Sequence, residues 1–235
     1  LEADVLADAT LVCFVSDNGG VSSGDAFATS NLPLRGGKGT QWEGGTRVPA
    51  YITGPGIEEG LVTRVPLIGS DWYPTLLDLT GVPVPSGQEV EGVSLAPVLR
   101  DGGTIERPLY FHFPHYGNQG GEPSSILIDG DDKLILYHED ARVELYDIRA
   151  DPGERVDLAT ERPDRAGELR ARLEAWLDAV DAEMPTPNPS FDPEARAARW
   201  ERLRGPFMQR LEEQHRGFLD PGFEPDPTWW GSDPD

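Results

Sequence analysis

The sequence predicts an α/β protein: a strand of a parallel sheet, followed further along by a small antiparallel α+β unit. Three observations carry this reading. Thr10-Leu11-Val12-Cys13-Phe14-Val15 is a continuous apolar run without polar alternation, the pattern of a strand covered on both faces. Residues 109–146 hold four short β-prone runs divided by turn residues, and one amphipathic helical stretch follows them, the order of an α+β unit. A Pro/Gly-rich connection over residues 82–104 separates the two blocks.

Residues 1–9 read as a helix end and a turn, with Asp8 just before the first strand. That strand stops abruptly at Ser16-Asp17-Asn18-Gly19-Gly20. Ligands of open α/β sheets bind beyond the carboxyl ends of strands, so position alone makes this polar cluster a site candidate. Residues 20–47 form a long irregular loop rich in Gly, Ser and Asn, and loops of that length inside a compact domain are either functional or disordered. A second short strand spans residues 48–53 and is closed by Gly54-Pro55-Gly56. Residues 70–80 carry apolar Trp72, Leu76, Leu77 and Leu79, with Asp71 near the start and Gly81 after the end, which marks a capped helix. A helical turn falls near residues 94–99.

The four strands of the second block are placed at residues 109–113, 125–128, 133–137 and 143–146. Asp129-Gly130 between the second and third marks a hairpin. Residues 162–182 form a helix with Leu169, Leu173, Trp176, Leu177 and Val180 on one face. After Met184 the chain reads Pro-Thr-Pro-Asn-Pro, a stiff linker, then a charged helix over 193–215 broken near Gly205-Pro206. The final fifteen residues, with Trp229 and Trp230, read as an extended tail.

Composition narrows the functional classes. The 235 residues are 37% hydrophobic and include 6 Trp, 6 Tyr and 8 Phe, enough for a core, so wholesale disorder is excluded. No run approaches the roughly 20 apolar residues that span a bilayer. Cys13 is the only cysteine. This excludes a disulfide scaffold and a Cys-based zinc site, and Cys13 is expected to be a small buried core residue. Acidic residues number 42 against 20 basic, a net charge of −22, which argues against binding a nucleic-acid backbone. The only lysines are Lys38 and Lys133.

Four groups could carry chemistry. Asp17 and Asn18 offer a carboxylate and an amide carbonyl at a strand end, donors suited to a hard cation such as Ca²⁺ or Mg²⁺. Two donors are too few for a whole site, and an Asx turn closing the strand explains them equally. Lys38 lies among Gly36, Gly37 and Gly39. One ammonium on a glycine loop suits an oxyanion such as phosphate or sulfate. The spacing is not that of a P-loop, and a surface loop is the alternative. Glu43 and Arg47 read as a site pair or as a salt bridge about a tight turn. His112 and His115 flank Phe113-Pro114 beside Tyr116 and could line a polar pocket or sit on the surface. His138 and His215 are expected to be solitary and solvated. Asp129, Asp131 and Asp132 read as turn residues.

In order along the chain these segments resemble the C-terminal half of a type I sulfatase, a member of the alkaline phosphatase superfamily. The matching signature begins with Phe14-Val15-Ser16-Asp17-Asn18-Gly19 and Leu34-Arg35-Gly36-Gly37-Lys38-Gly39-Thr40. Glu43-Gly44-Gly45-Thr46-Arg47-Val48-Pro49 and Asp71-Trp72-Tyr73-Pro74-Thr75-Leu76-Leu77-Asp78-Leu79-Thr80-Gly81 follow. Glu144-Leu145-Tyr146-Asp147 and Asp151-Pro152-Gly153-Glu154 complete it. Each segment is weak alone; the ordered set is specific. It covers about residues 1–180 and leaves the tail from about 185 uncovered.

The resemblance implies an alkaline-phosphatase-like α/β/α sandwich, of which residues 1–105 would be the closing part. Residues 106–183 would be the small subdomain, with a four-stranded antiparallel sheet and a packed helix, and residues 184–235 a linker, charged helix and tail. It implies Asp17 and Asn18 as metal ligands, usually for Ca²⁺ with Mg²⁺ as the alternative, and Lys38 as the residue that contacts the sulfate group. It places His115, and with it His112, at the substrate rim. It implies a sulfated small molecule or carbohydrate as substrate and an extracellular or periplasmic location.

One departure is plain. The family's formylglycine nucleophile is made in a Cys/Ser-x-Pro/Ala-x-Arg motif, and these residues contain none. The family's paired aspartates and further catalytic Lys and His would also precede Asp17. The expectation is therefore a C-terminal portion, inactive alone, whose partner is the N-terminal half of the catalytic domain. Two other readings stand beside it. One is a phosphodiesterase or phosphonate hydrolase of the same superfamily, distinguished by the upstream nucleophile motif. The other is a non-catalytic accessory module that binds through its acidic surface and the Trp229-Trp230 tail.

Overall fold

The computed structural model describes residues 6–22, 29–117 and 119–202, with scattered positions between 205 and 224. His215, Trp229, Trp230 and most of the expected tail lie outside the described residues.

Strand β1 (Val12–Val15) follows a short 3₁₀ turn at Ala7–Ala9 and pairs with β2 (Ala50–Thr53). The ladder is antiparallel, with Val12 opposite Thr53 and Val15 opposite Ala50. This corrects two expectations. No parallel neighbour flanks β1 among the described residues, and its faces are open: Val12, Phe14, Val15 and Tyr51 are all exposed. Cys13 is likewise exposed rather than a core residue. The physical reason is simple. An apolar run specifies a strand, but its cover must come from other elements, and among the described residues only β2 pairs with it.

The loop after β1 closes on the one-turn helix α1 (Glu43–Thr46). Helix α2 (Trp72–Thr80) follows the 3₁₀ turn Gly69–Asp71. Asp71, expected as a cap, is fully buried and staples three segments. Its carboxylate accepts the backbone N–H groups of Ile68 at 2.8 Å and Val93 at 3.0 Å and pairs with Arg107. The Thr75 hydroxyl donates to the Asp71 carbonyl at 2.6 Å and accepts the Leu95 N–H at 2.9 Å, which sets the entry to α3 (Ala96–Asp101).

Strands β3 (Leu109–Phe113), β4 (Ser124–Asp129), β5 (Asp132–Tyr137) and β6 (Val143–Asp147) form an antiparallel sheet in sequence order. The β4–β5 hairpin closes through Gly130-Asp131, with Asp129 opposite Asp132. Helix α4 (Pro163–Ala179) lays Ala166, Leu169, Leu173 and Leu177 on Leu127, Leu134, Leu136 and Leu145. The opposite sheet face buries Ile126, Ile135, Tyr137 and Tyr146, and Trp42 from the long loop packs there with Phe111. Cover on both faces explains the nearly unbroken apolar runs of β4 and β5. Each fully buried leucine contributes about 1.5–3 kcal/mol.

Helix α4 is shorter than the predicted 162–182 because the chain turns out at Asp181, whose φ is 51°. Asp129 and Asp132 receive Arg165, and Asp129 also receives Arg172. The Arg172 and Arg165 guanidiniums hold the Asp129 carboxyl below its usual range. The acidic turn is therefore the landing point of α4. Helix α5 (Pro193–Arg202) begins the C-terminal extension. Among the described residues no helix is long and apolar enough to cross a membrane.

Candidate functional site

Asp17 and Asn18 sit on the turn that leaves β1, with Asp17 exposed and Asn18 half-buried. The turn is woven into the glycine loop by backbone. Gly19 N–H donates to the Gly45 carbonyl at 3.0 Å, and Lys38 N–H donates to the Gly20 carbonyl at 3.0 Å. A Cβ on Gly19 would stand 1.7 Å from the Gly44 oxygen, so only glycine permits this approach. The backbones of the Asp17-Asn18 and Lys38 segments therefore come together, and Lys38 itself is exposed.

Asn31 clamps the assembly. Its Oδ1 accepts the Gly20 N–H at 3.0 Å, and its Nδ2 donates to the carbonyls of Gly20 at 2.9 Å and Gly36 at 3.1 Å and to Ser22 Oγ at 3.3 Å. Thr40 Oγ1 donates to the Gly37 carbonyl at 2.8 Å. Sequence reading passed over Asn31, because a lone Asn in a polar loop carries no motif. Its value comes from contacts that span eleven residues.

The loop is fastened to the small sheet. Arg35 stacks on Trp42 at 3.9 Å and donates to the Tyr146 hydroxyl at 3.0 Å and the Glu154 carbonyl at 3.2 Å. Gln41 Nε2 donates to the Tyr137 hydroxyl at 3.0 Å. Lys133 Nζ lies 3.0 Å from Glu43 Oε1 and 2.8 Å from Glu154 Oε1, and all three side chains are buried. Glu154 Oε2 also accepts the Glu43 N–H at 2.7 Å. Burial pushes the Glu154 carboxyl above its usual range, and Lys133 opposes that shift. The sequence pairs Glu43 with Arg47, as a site pair or as a salt bridge about a tight turn. Arg47 does approach it at 3.7 Å, but the buried partner is Lys133.

The histidines divide. His115 is exposed and meets the Phe113 ring edge-on at 5.3 Å. Its segment runs into Gly117 and Gly121, which close a turn (Gly117 N–H to Gly121 carbonyl, 2.9 Å) against Gly39, next to Lys38. A Cβ on Gly121 would lie 2.0 Å from the Gly39 oxygen. His112 instead has both ring nitrogens engaged, Nδ1 with Ser125 Oγ at 2.7 Å and Nε2 with the Glu183 carbonyl at 2.8 Å. His138, expected to be solitary and solvated, joins the same chain through Ser125 Oγ at 2.9 Å. Burial and His112 push the His138 pKa down. With neutral imidazoles every proton has an acceptor: His138 donates to Ser125, Ser125 to His112, and His112 to Glu183.

Chemically, the turn presents two hard oxygen donors beside a loop that carries one ammonium. The Asp17 carboxylate has no cationic partner among the described residues, which suits it to a metal ion. No three His, Cys, Asp or Glu side chains among the described residues are grouped to hold a metal by themselves, so any such ion would need further ligands.

A family model described as N-sulphoglucosamine sulphohydrolase, C-terminal, matches residues 38–183. The chain belongs to the type I sulfatase family. The matched stretch contains Lys38, the four-stranded sheet and both layers that cover it, and it stops where His112 grips Glu183. A sulfatase from Formosa agariphila is 37% identical over 193 residues, covering 75% of this chain and 34% of that protein. Human arylsulfatase A is 31% identical over 203 residues, covering 74% of this chain and 39% of the relative. The solved structure of BT4656 in complex with its substrate D-glucosamine-2-N,6-O-disulfate superposes with a TM-score of 0.63 at 26% identity, over 79% of this sulfatase chain and 37% of that one. The chain thus spans about a third of the length of curated sulfatases that it matches.

Proposed function

We propose that these residues are the C-terminal portion of a sulfatase that hydrolyses sulfate esters of a carbohydrate. Asp17 and Asn18 would hold part of the shell of a Ca²⁺ ion, which when bound neutralises and orients an anionic sulfate group. Lys38 would contact the sulfate, offsetting charge that develops on the ester oxygens. The nucleophile lies outside these residues, so the chain alone is inactive. The observation that carries the reading is the Lys38 N–H to Gly20 carbonyl bond of 3.0 Å, which fixes the base of the cationic loop against the metal-donor turn. The carbohydrate assignment leans on the substrate of BT4656, a disulfated glucosamine, and on the aromatic segment from Phe111 to Tyr116 beside the loop.

The test uses the full-length protein that contains these residues, assayed on sulfated saccharides. Lys38→Ala is expected to lower kcat by about 10²–10³, the usual cost of removing a donor from a developing oxyanion. Asp17→Ala should abolish the Ca²⁺ dependence of activity. A Lys38→Ala enzyme with unchanged turnover sinks the assignment, as does sulfatase turnover by the 235-residue chain alone.

A further inference from the structure

The C-terminal extension begins where the matched family region ends at residue 183, and the chain is tied back to the rim segment twice, once at that junction and once beyond it. The first tie is His112 Nε2 to the Glu183 carbonyl. The second is made by α5. Arg196 forks onto both oxygens of Glu139, with Nη2 at 3.0 Å from Oε2 and Nη1 on Oε1, and the Tyr116 hydroxyl donates to Glu139 Oε2 at 2.6 Å. The Tyr116 side chain is 61% exposed, and Phe113 beside it is 51% exposed. An exposed ring ordinarily samples several rotamers. This one is held by a carboxylate that is itself held by a two-pronged guanidinium.

We propose that α5 is a specificity element: Arg196, acting through Glu139, positions the Tyr116 ring as a platform on which a sugar ring of a sulfated saccharide stacks, beside the Lys38 loop. The proposal rests on the reading of Lys38 as a sulfate contact. Two physical effects support it. A pre-oriented ring loses less conformational freedom when ligand binds. The guanidinium also neutralises Glu139, which Arg196 and Tyr116 hold in its charged form by lowering its pKa. In a chain of net charge −22, a bare carboxylate at the rim would repel an anionic substrate. Arg196 is thus a positioning residue, and Tyr116 makes the contact.

The experiment compares two substrates on the full-length protein: a sulfated disaccharide, which reaches the rim, and 4-nitrophenyl sulfate, which offers no sugar to stack. Arg196→Ala should raise KM for the disaccharide about three- to tenfold, the scale of losing one pre-oriented contact, with kcat and the aryl ester kinetics within about twofold of wild type. Tyr116→Ala should show at least the same split. Arg196→Lys keeps the charge but not the fork and should fall between. Equal losses on both substrates would assign α5 a purely structural role and overturn the proposal, as would unchanged disaccharide kinetics in Arg196→Ala. If the wild type hydrolyses neither ester, the sulfatase reading falls and this proposal with it.

Discussion

Lys133→Met is the sharpest perturbation of the link between the sheet and the glycine loop. Methionine keeps much of the length and volume, so the variant removes charge more than packing. Lys133 is fully buried between Glu43 and Glu154, at 3.0 and 2.8 Å. Breaking a buried pair by deleting one partner costs about 3–5 kcal/mol, because the other charge stays dry. Here two carboxylates remain, relieved by Arg47 at 3.7 Å from Glu43 and by the Glu43 N–H at 2.7 Å from Glu154 Oε2. The cheaper state is a protonated Glu154, whose carboxyl burial already pushes up and which then loses its opposing ammonium. A carboxyl with a raised folded pKa binds more protons in the native state than in the unfolded one. Its favourable contribution is complete below the unfolded pKa and is lost as pH rises through the folded value. The variant should therefore be weakest at neutral and alkaline pH and recover on acidification. Urea unfolding followed by tryptophan fluorescence at about pH 5 and pH 8 reads this directly, as the deficit against wild type is expected to shrink at the lower pH. The triple variant Lys133→Met, Glu43→Gln, Glu154→Gln should regain most of the loss at pH 8. A deficit below about 1 kcal/mol, the scale of a surface pair, or one that ignores pH, would refute the reasoning.

Gly19→Ala should force the Asp17-Asn18 turn away from Gly44, since a Cβ would stand 1.7 Å from that carbonyl oxygen; faster amide exchange at Gly19 and Gly45 with intact exchange in β3–β6 is the expected signature. Asn31→Ala should loosen the same loop at a cost of about 1–3 kcal/mol for backbone groups left unpaired. Asn31→Asp should be no better, because its second oxygen would face the Gly20 and Gly36 carbonyls that Nδ2 now satisfies; full recovery by Asp in urea melts would contradict the clamp. Leu173→Ala in α4 should cost about 2–5 kcal/mol by leaving a cavity, whereas Phe14→Ser on the open face of β1 should shift the unfolding midpoint of this chain far less.

The four-stranded sheet was legible because its signals are local. β3 spans residues 109–113 as its sequence predicts, β5 and β6 differ from the predicted bounds by one residue at one end, and β4 by one residue at each end, since turn residues bracket each apolar run. The cover of the sheet was half legible. The Leu169-Leu173-Leu177 stripe announces α4, but nothing local announces that Trp42, some hundred residues from Tyr146, covers the other face. β1 shows the converse limit: its sequence specifies extended backbone, while neighbour and direction depend on distant chain. At the candidate site, residue type and glycine context single out Asp17, Asn18 and Lys38, and the structure brings the backbones of their segments together. Asn31, Glu154 and the buried role of Lys133 were not, because their chemistry appears only when segments 11 to 111 residues apart are brought together. His138 misled for the same reason, as its partner Ser125 is reached across the β4–β5 pairing.

The contrasting fates of the two lysines have a practical corollary. Lys133 is sealed beneath the sheet, while Lys38 stands in solvent on the glycine loop, and the sole thiol, Cys13, is also open. An amine-reactive dye thus meets one side-chain amine on the native fold, and a thiol-reactive dye meets one cysteine. With the terminal α-amine blocked, the chain therefore accepts an orthogonal dye pair, one on the loop and one on β1, and energy transfer between them reports directly on the spacing of these two elements. Unfolding would announce itself by a second reactive side-chain amine.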